Sequence, residues 1–133
     1  MRLSVHYFTD LPRSYAVLQF EEGEEGGVLE ALKSLVAGGM GELTELVSRV
    51  LGSRVRCVSV AFGTLNYRGH ELDMAYLRVE LEDDREYVFE VYRDSAMINS
   101  NTDALRALED IKRFMRALYP DLREPRRPTL VGF

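Results

Sequence analysis

A long run of alternating apolar and polar residues, from about Val55 to Arg93, constrains the fold of this chain more than any other feature. Alternation with a period of two is typical of β-strands that bury one face. Turn residues at 68–70 and 82–85 divide the run into three segments. The pattern therefore predicts three consecutive strands, over about 54–66, 71–82 and 86–93.

A helical segment is predicted on each side of this run. Apolar residues from Val28 to Leu51 recur every three or four positions, which is typical of an amphipathic helix. The glycine-rich stretch 38–41 interrupts it, and each glycine inside a helix costs about 1 kcal/mol relative to alanine. We expect a kink or a break there, so one bent helix and two helices both remain open. A further amphipathic helix is predicted over about 103–119 and ends at Pro120.

The N-terminal part of the chain predicts two more strands, over 3–8 and 15–20, which pair as an antiparallel hairpin. The segment 94–101 is interpreted as an irregular connection. The resulting order, β-β-α-β-β-β-α, predicts an α+β domain with a five-stranded antiparallel sheet and helices packed on one face. We expect one domain over 1–122 and a basic, proline-containing tail over 123–133. In element order this layout is similar to longin, roadblock and profilin-like domains, and no residue role follows from that resemblance.

Composition limits the classes of partner. The 133 residues carry a formal net charge of −5, which disfavours nucleic-acid binding by the body of the domain. No apolar run approaches the roughly 18 residues of a membrane-spanning helix. No signal peptide is apparent, so we expect a cytoplasmic protein with no membrane partner. Cys57 is the single cysteine, and its place in the strand pattern predicts a small buried side chain.

The third predicted strand has apolar residues on both faces, with Val55, Cys57 and Ala61 on one side and Val58, Val60 and Phe62 on the other. Such a strand is either covered on both faces or meets a partner with its outer face. If this strand and the next extend to the turn at 68–70, the ribbon is about 40 Å long. A ribbon of that length protrudes from a small domain, which favours a homodimer.

One cluster contains residue types used in catalysis and metal binding. His70, Glu71 and Asp73 lie at the predicted hairpin turn, with both carboxylates on one strand face and the imidazole on the other. His6 is the only other histidine. A small enzyme or metal-binding protein using His6, His70 and Glu71 is therefore an alternative hypothesis. Polar residues at a hairpin turn explain the cluster more simply, so we predict no catalytic residue, metal or cofactor.

The tail is basic and ends in apolar residues, a combination that favours docking onto another surface. Its candidate partner-binding residues are Arg123, Arg126, Arg127, Leu130, Val131 and Phe133. The surface is either its own domain, a second copy or another protein. The spacing Arg127-x-x-Leu130-x-x-Phe133 resembles the C-terminal peptides that bind DNA sliding clamps, and the arginines allow nucleic-acid contact through the tail.

Taken together, these patterns predict a non-enzymatic protein-interaction or assembly module that forms a homodimer. The prediction depends on the two-sided third strand, the long hairpin and the apolar end of the tail. The alternatives left open are the small enzyme or metal-binding protein and the sliding-clamp or nucleic-acid accessory protein.

Overall fold

The structure is a computed structural model that describes residues 2–7, 13–123 and 128–132, with side chains described over 13–123. Its helices and strands, in chain order, are β1 (Arg2–Tyr7), β2 (Ser14–Gln19), α1 (Gly27–Val36), α2 (Gly41–Leu51), β3 (Val55–Tyr67), β4 (His70–Leu81), β5 (Glu86–Tyr92), β6 (Ser95–Ser100), α3 (Ala104–Leu118) and β7 (Pro128–Gly132). In the described part of the chain, no helix combines the length and apolarity needed to cross a membrane.

The strands form one sheet in the order β3-β4-β5-β6-β2-β1-β7. Every pairing from β3 to β1 is antiparallel, and β7 pairs parallel to β1. The predicted α+β class is confirmed, and all five predicted strands form. Two strands are additional, because β6 lies within the segment predicted to be irregular and β7 lies within the predicted tail. Strand β6 alternates like the others, with Ala96 and Ile98 buried, although serine and asparagine surround them.

The helices pack on one face of the sheet, which we call the helix-side face; the other is the open face. Leu18, Leu77 and Phe89 are fully buried on the helix-side face. The ring of Phe114 in α3 stacks on Phe89 with the centroids 4.8 Å apart. The glycine-rich stretch separates α1 from α2, and Gly39 adopts a φ of 123° that disfavours other residues.

A buried polar network joins the β4–β5 turn to the helices. The Tyr87 hydroxyl donates a hydrogen bond to the carboxylate of Asp110 in α3. Arg85 donates to Asp83 at 2.8 Å and to the carbonyl oxygen of Leu51 at the end of α2. Burial raises the pKa of Tyr87 above its ordinary value, and the bond to Asp110 raises it further. These contacts hold α2 and α3 over the end of the sheet where β3 begins and β4 ends.

Candidate interaction surface

The β3–β4 hairpin extends beyond the layer of helices. We call residues 55–61 and 75–81 the hairpin base and residues 62–74 the hairpin tip. Inner positions of the base are buried in β4 and half-buried in β3, whereas every tip residue except Met74 is exposed. The strands are joined by Arg68 and Gly69, with φ of 49° and 80°, as a two-residue type I′ turn requires. This turn matches the twist of the flanking strands and continues the hairpin to its full length.

The apolar face of β4 reverses between base and tip. In the base, Leu77 and Val79 on the helix-side face are buried, and Arg78 lies on the open face. In the tip, Leu72 lies on the open face, and Asp73 lies on the helix-side face. No register shift occurs between Cys57 and Tyr67, so the alternation is unbroken and only the chemistry of the faces changes.

Strand β3 shows the same reversal after Phe62, which pairs with Ala75 and lies on the helix-side face. Leu65 pairs with Leu72 and lies on the open face, and Thr64 pairs with Asp73 and lies on the helix-side face. Five of the six exposed large apolar side chains of the described residues belong to this hairpin. They are Phe62, Leu65, Tyr67, Leu72 and Tyr76. A concentration of exposed apolar groups on one hairpin is typical of an interaction surface.

Beyond the hairpin, the open face of the sheet carries both aromatic and polar side chains. A shallow cavity of about 240 Å³ lies next to Tyr76 and is lined by Arg13, Tyr15, Tyr76, Val88, Glu90, Met97 and Asn99. Arg13 donates to the Asn99 side chain at 2.6 Å. Burial raises the pKa of Tyr92 beside this cavity, and the Glu90 carboxylate raises it further. The open face is therefore a mixed aromatic and polar surface.

Among the described strands, β3 pairs with β4 alone and forms an edge of the sheet. Tyr67 and His70 flank the two-residue turn, so they form a hydrogen-bonded pair. Backbone groups of odd-numbered residues from Cys57 to Tyr67 consequently point toward β4, and those of even-numbered residues point away from the sheet. The outward-pointing residues are Val58, Val60, Phe62, Thr64 and Asn66. This edge is therefore open to pairing with another strand.

One sequence prediction about β3 is wrong. Cys57 was predicted to be buried, but it is exposed. The reason is that β3 forms the sheet edge and Cys57 lies on the open face, opposite Glu80. Of the two interpretations of this strand, cover on both faces does not fit, because most of its residues are exposed, and contact of its outer face with a partner stays a prediction. The one register shift lies between Val55 and Cys57, at the start of the strand.

Charged residues lie at both ends of the hairpin. Glu71 and Asp73 in the tip are exposed on the helix-side face. Arg49 at the end of α2 and Arg54 just before β3 are also exposed, beside the base, where the acidic turn 82–84 lies as well. Arg113 of α3 lies at the same end and donates to the carbonyl oxygen of Val50 at 3.2 Å.

The histidine and carboxylate cluster predicted as an alternative site is spread across the sheet. His70 lies at the start of β4 in the hairpin tip, beside Glu71 and Asp73, and is exposed. His6 lies in β1, and three strands separate β1 from β4. Strands are spaced about 4.8 Å apart, so the strands that carry the two histidines lie roughly 19 Å apart. The described residues include no group of three or more His, Cys, Asp or Glu that could hold a metal ion.

The tail residues are placed by the backbone of β7. Leu130 pairs with Val5 and Val131 pairs with His6 of the same chain. Arg123 is exposed, and its amide donates to the Glu24 carboxylate at 2.8 Å. Arg126, Arg127 and Phe133 lie outside the described residues. Partner binding by the tail stays a prediction.

The functional signal that sequence reasoning missed is the reversal in β4. Apolar residues occupy even positions at Leu72 and Met74 and odd positions at Leu77 and Val79. That change is visible in the sequence, but its meaning depends on where the helices stop covering the sheet.

The chain matches no protein-family model, no curated protein and no solved structure. The similarity to longin, roadblock and profilin-like domains therefore stays a prediction from element order.

Proposed function

We propose that this protein is a non-enzymatic assembly module that forms a homodimer through the free edge of β3. The two β3 strands pair antiparallel and join the two sheets into one. The observation that carries the proposal is the thirteen-residue edge strand. It has neither proline nor lysine, and its large apolar residues are exposed. Natural edge strands are normally short, charged or covered unless they pair with another strand.

A second copy fits this edge well. Two identical antiparallel strands overlap over their whole length when the central residue, Ala61, lies on the twofold axis. Val60 is then opposite the second copy's Phe62, and Thr64 is opposite its Val58. The even-numbered residues from 58 to 64 form roughly eight backbone hydrogen bonds between the copies. Small side chains at Ser59, Ala61 and Gly63 leave the open face around the axis unobstructed.

The edge can be tested with one substitution and a matched control. Thr64→Pro removes an N–H that points away from β4, so the hairpin ladder keeps its bonds but the ring blocks a second strand. Thr64→Ala shortens the same side chain and keeps that N–H. Light scattering after size-exclusion chromatography should give a dimer for the native chain and for Thr64→Ala, and a monomer for Thr64→Pro.

Phe62→Lys provides a second variant that leaves the backbone unchanged, because a lysine at an edge position opposes strand addition. It should also give a monomer, with an unchanged far-ultraviolet circular dichroism spectrum. A native chain that is monomeric throughout the micromolar range, or a dimer that persists in both Thr64→Pro and Phe62→Lys, would contradict the proposal.

A further inference from the structure

The shallow cavity on the open face places one carboxylate among aromatic and apolar side chains. Tyr76 of β4 and Tyr15 of β2 lie on either side of it, because β5 and β6 separate their strands. Glu90 of β5 lies beside Tyr76, with which it pairs. Val88 and Met97 are half-buried and add an apolar lining around this carboxylate. A volume of about 240 Å³ suits a small headgroup better than a whole cofactor.

Among the described residues, no side chain neutralises Glu90. The carboxylate is half-buried and belongs to none of the ion pairs in this part of the chain. The Tyr92 hydroxyl donates a hydrogen bond to it at 3.3 Å, which satisfies one oxygen but does not compensate the charge. A carboxylate partly removed from water is stabilised by a nearby positive charge. This position therefore favours a cation supplied by a ligand.

The arginines nearest to this cavity are paired with other carboxylates of the open face. Arg13, which also lines the cavity, donates from Nε to the Asn99 side chain at 2.6 Å and lies 3.6 Å from the Glu86 carboxylate. Arg78 lies 3.0 Å from the carboxylate of Glu80. These two pairs balance each other's charges, so the charge of the cavity itself is negative.

We infer that this cavity binds an alkylated ammonium group, with its charge facing Glu90 and its methyl groups against the rings of Tyr15 and Tyr76. A cation close to tyrosine rings is attracted by their π-electrons, and aromatic cages recognise quaternary ammonium groups in this way. The apolar side chains of Val88 and Met97 fit the methyl groups, which a simple ammonium ion lacks.

Other ligands fit this cavity less well. A metal ion requires several oxygen ligands, and within the described residues no group of three or more His, Cys, Asp or Glu could hold one. An anion would lie close to the Glu90 carboxylate and would compete with Glu86 for Arg13. The site does not depend on the β3 pairing, because its lining residues all belong to one chain.

Choline and dimethylbutanol test recognition of the charge. The two molecules have the same shape, but in the alcohol a carbon atom replaces the charged nitrogen. At constant ionic strength, titration with choline should shift the amide NMR signals of Val88, Glu90 and Met97 along a saturating curve. Dimethylbutanol should bind at least about fivefold more weakly, because it lacks the attraction of the carboxylate and the rings.

This headgroup has two sources, a choline-bearing molecule and a trimethylated lysine side chain of a protein. Titration with acetyl-trimethyllysine amide distinguishes them. Tighter binding of this probe than of choline identifies the protein side chain as the source, and tighter binding of choline identifies a choline-bearing molecule.

Substitutions in the cavity test its composition. Glu90→Gln removes the charge and keeps the shape of the side chain, so choline should bind at least about fivefold more weakly. Tyr76→Leu removes one aromatic contact and should weaken binding by about fivefold. As a matched control, Glu25→Gln removes a carboxylate from an exposed turn elsewhere and should leave Kd within twofold. The far-ultraviolet circular dichroism spectra of the three variants should match that of the native chain.

Equal affinities for choline and dimethylbutanol would contradict the inference, and so would a Glu90→Gln variant that behaves like Glu25→Gln. Amide signals that do not move with choline would also contradict it. Light scattering on the same samples separates this inference from the dimer proposal. A monomer that binds choline refutes the β3 pairing alone, and a dimer that does not bind choline refutes the cation site alone.

Discussion

The base and the tip of the β3–β4 hairpin belong to the same two strands, yet they are stabilised by different surroundings. Leu77 in the base is fully buried against the helices, whereas Leu72 in the tip is 39% exposed. The alternation continues through both regions, but the face that carries the apolar side chains changes where the helices end. The comparison shows that the face of a strand that carries apolar residues depends on what covers each part of the strand. The strand geometry, which is the same in both parts, does not determine it.

The difference should be largest in the cost of truncating one leucine in each region. Leu77→Ala leaves a cavity in a well-packed core and should lower the free energy of unfolding by about 2–5 kcal/mol. Leu72→Ala removes an exposed side chain and should change it by no more than about 0.5 kcal/mol. Urea unfolding at concentrations below the Kd of the dimer measures both values.

Equal losses from the two truncations would mean that the tip is packed against its own body. In that case, the distinction between base and tip is wrong, and the exposed apolar side chains cannot be assigned to a second copy. The same pair of variants at high concentration should show the opposite ranking for dimer affinity, because Leu77 is covered by its own helices and Leu72 lies in the part of the hairpin that they leave uncovered.

The polar network at the base should matter next. Asp110→Ala leaves the buried Tyr87 hydroxyl without its acceptor, a change that costs about 1–3 kcal/mol for a buried polar group. Tyr87→Phe removes the donor to the buried Asp110 carboxylate, so it should also cost about 1–3 kcal/mol. Thermal or urea unfolding of the two variants and of the double variant measures the coupling. Fully additive losses would contradict a direct bond between these two side chains.

The same network predicts a dependence on pH. Burial and the bond to Asp110 raise the pKa of Tyr87, so the folded chain keeps this proton when the unfolded chain has lost it. Above about pH 10, the unfolded state therefore binds fewer protons, and the free energy of unfolding falls as pH rises. Tyr87→Phe should make this fall shallower. An unchanged slope between pH 9 and about 11 would show that other groups govern it.

Much of this architecture could be predicted from periodicity. The strands of the hairpin and the helix containing Phe114 carry strong, long patterns, and the structure has them within a few residues of the predicted bounds. Strand β6 was missed because six residues with Ser95, Asn99 and Ser100 among them resemble a loop. Its alternation of Ala96 and Ile98 was a real signal, but a short one.

The surroundings of a strand could not be predicted from its own residues. The position of Cys57 depends on β3 being the edge, and strand order is a property of the whole sheet. The separation of His6 from His70 depends equally on the strands between them. By contrast, the exposed position of Glu71 and Asp73 follows from the turn beside them, which the sequence indicated through Arg68 and Gly69.

The helix α3, which packs on β2, should lose stability when its first turn loses its cap. Asp103 accepts a hydrogen bond from the amide of Arg106 at 2.9 Å and satisfies one of the free donors of α3. Asp103→Ala should lower the free energy of unfolding by about 1 kcal/mol, and Asp103→Asn by a few tenths of that at most. Urea unfolding of the two variants measures the cap directly. Equal effects would show that the charge of Asp103, and not its hydrogen bond, stabilises the helix.

The smallest effect is expected at the turn of the tip. Arg68 has a φ of 49°, which asparagine adopts at lower cost, and its guanidinium lies 5.3 Å from the centre of the Tyr67 ring. Arg68→Ala loses the cation–π contact and keeps the backbone strain of the positive φ. Arg68→Asn also loses that contact, but it relieves the strain and forms the Asn-Gly pair that type I′ turns prefer. Asparagine should therefore stabilise the tip by about 0.5 kcal/mol relative to alanine.

Hydrogen exchange locates this effect within the molecule. Because few contacts join the tip to the body, its amides should open locally, at a free energy below that of global unfolding. In the monomer, exchange at the backbone of Tyr67 and His70 should slow in Arg68→Asn relative to Arg68→Ala, and exchange at Leu77 should not change. A matching shift at Leu77 would mean that base and tip unfold as one unit. The stability of the tip would then come from its own body, and a second copy would not be needed to order it.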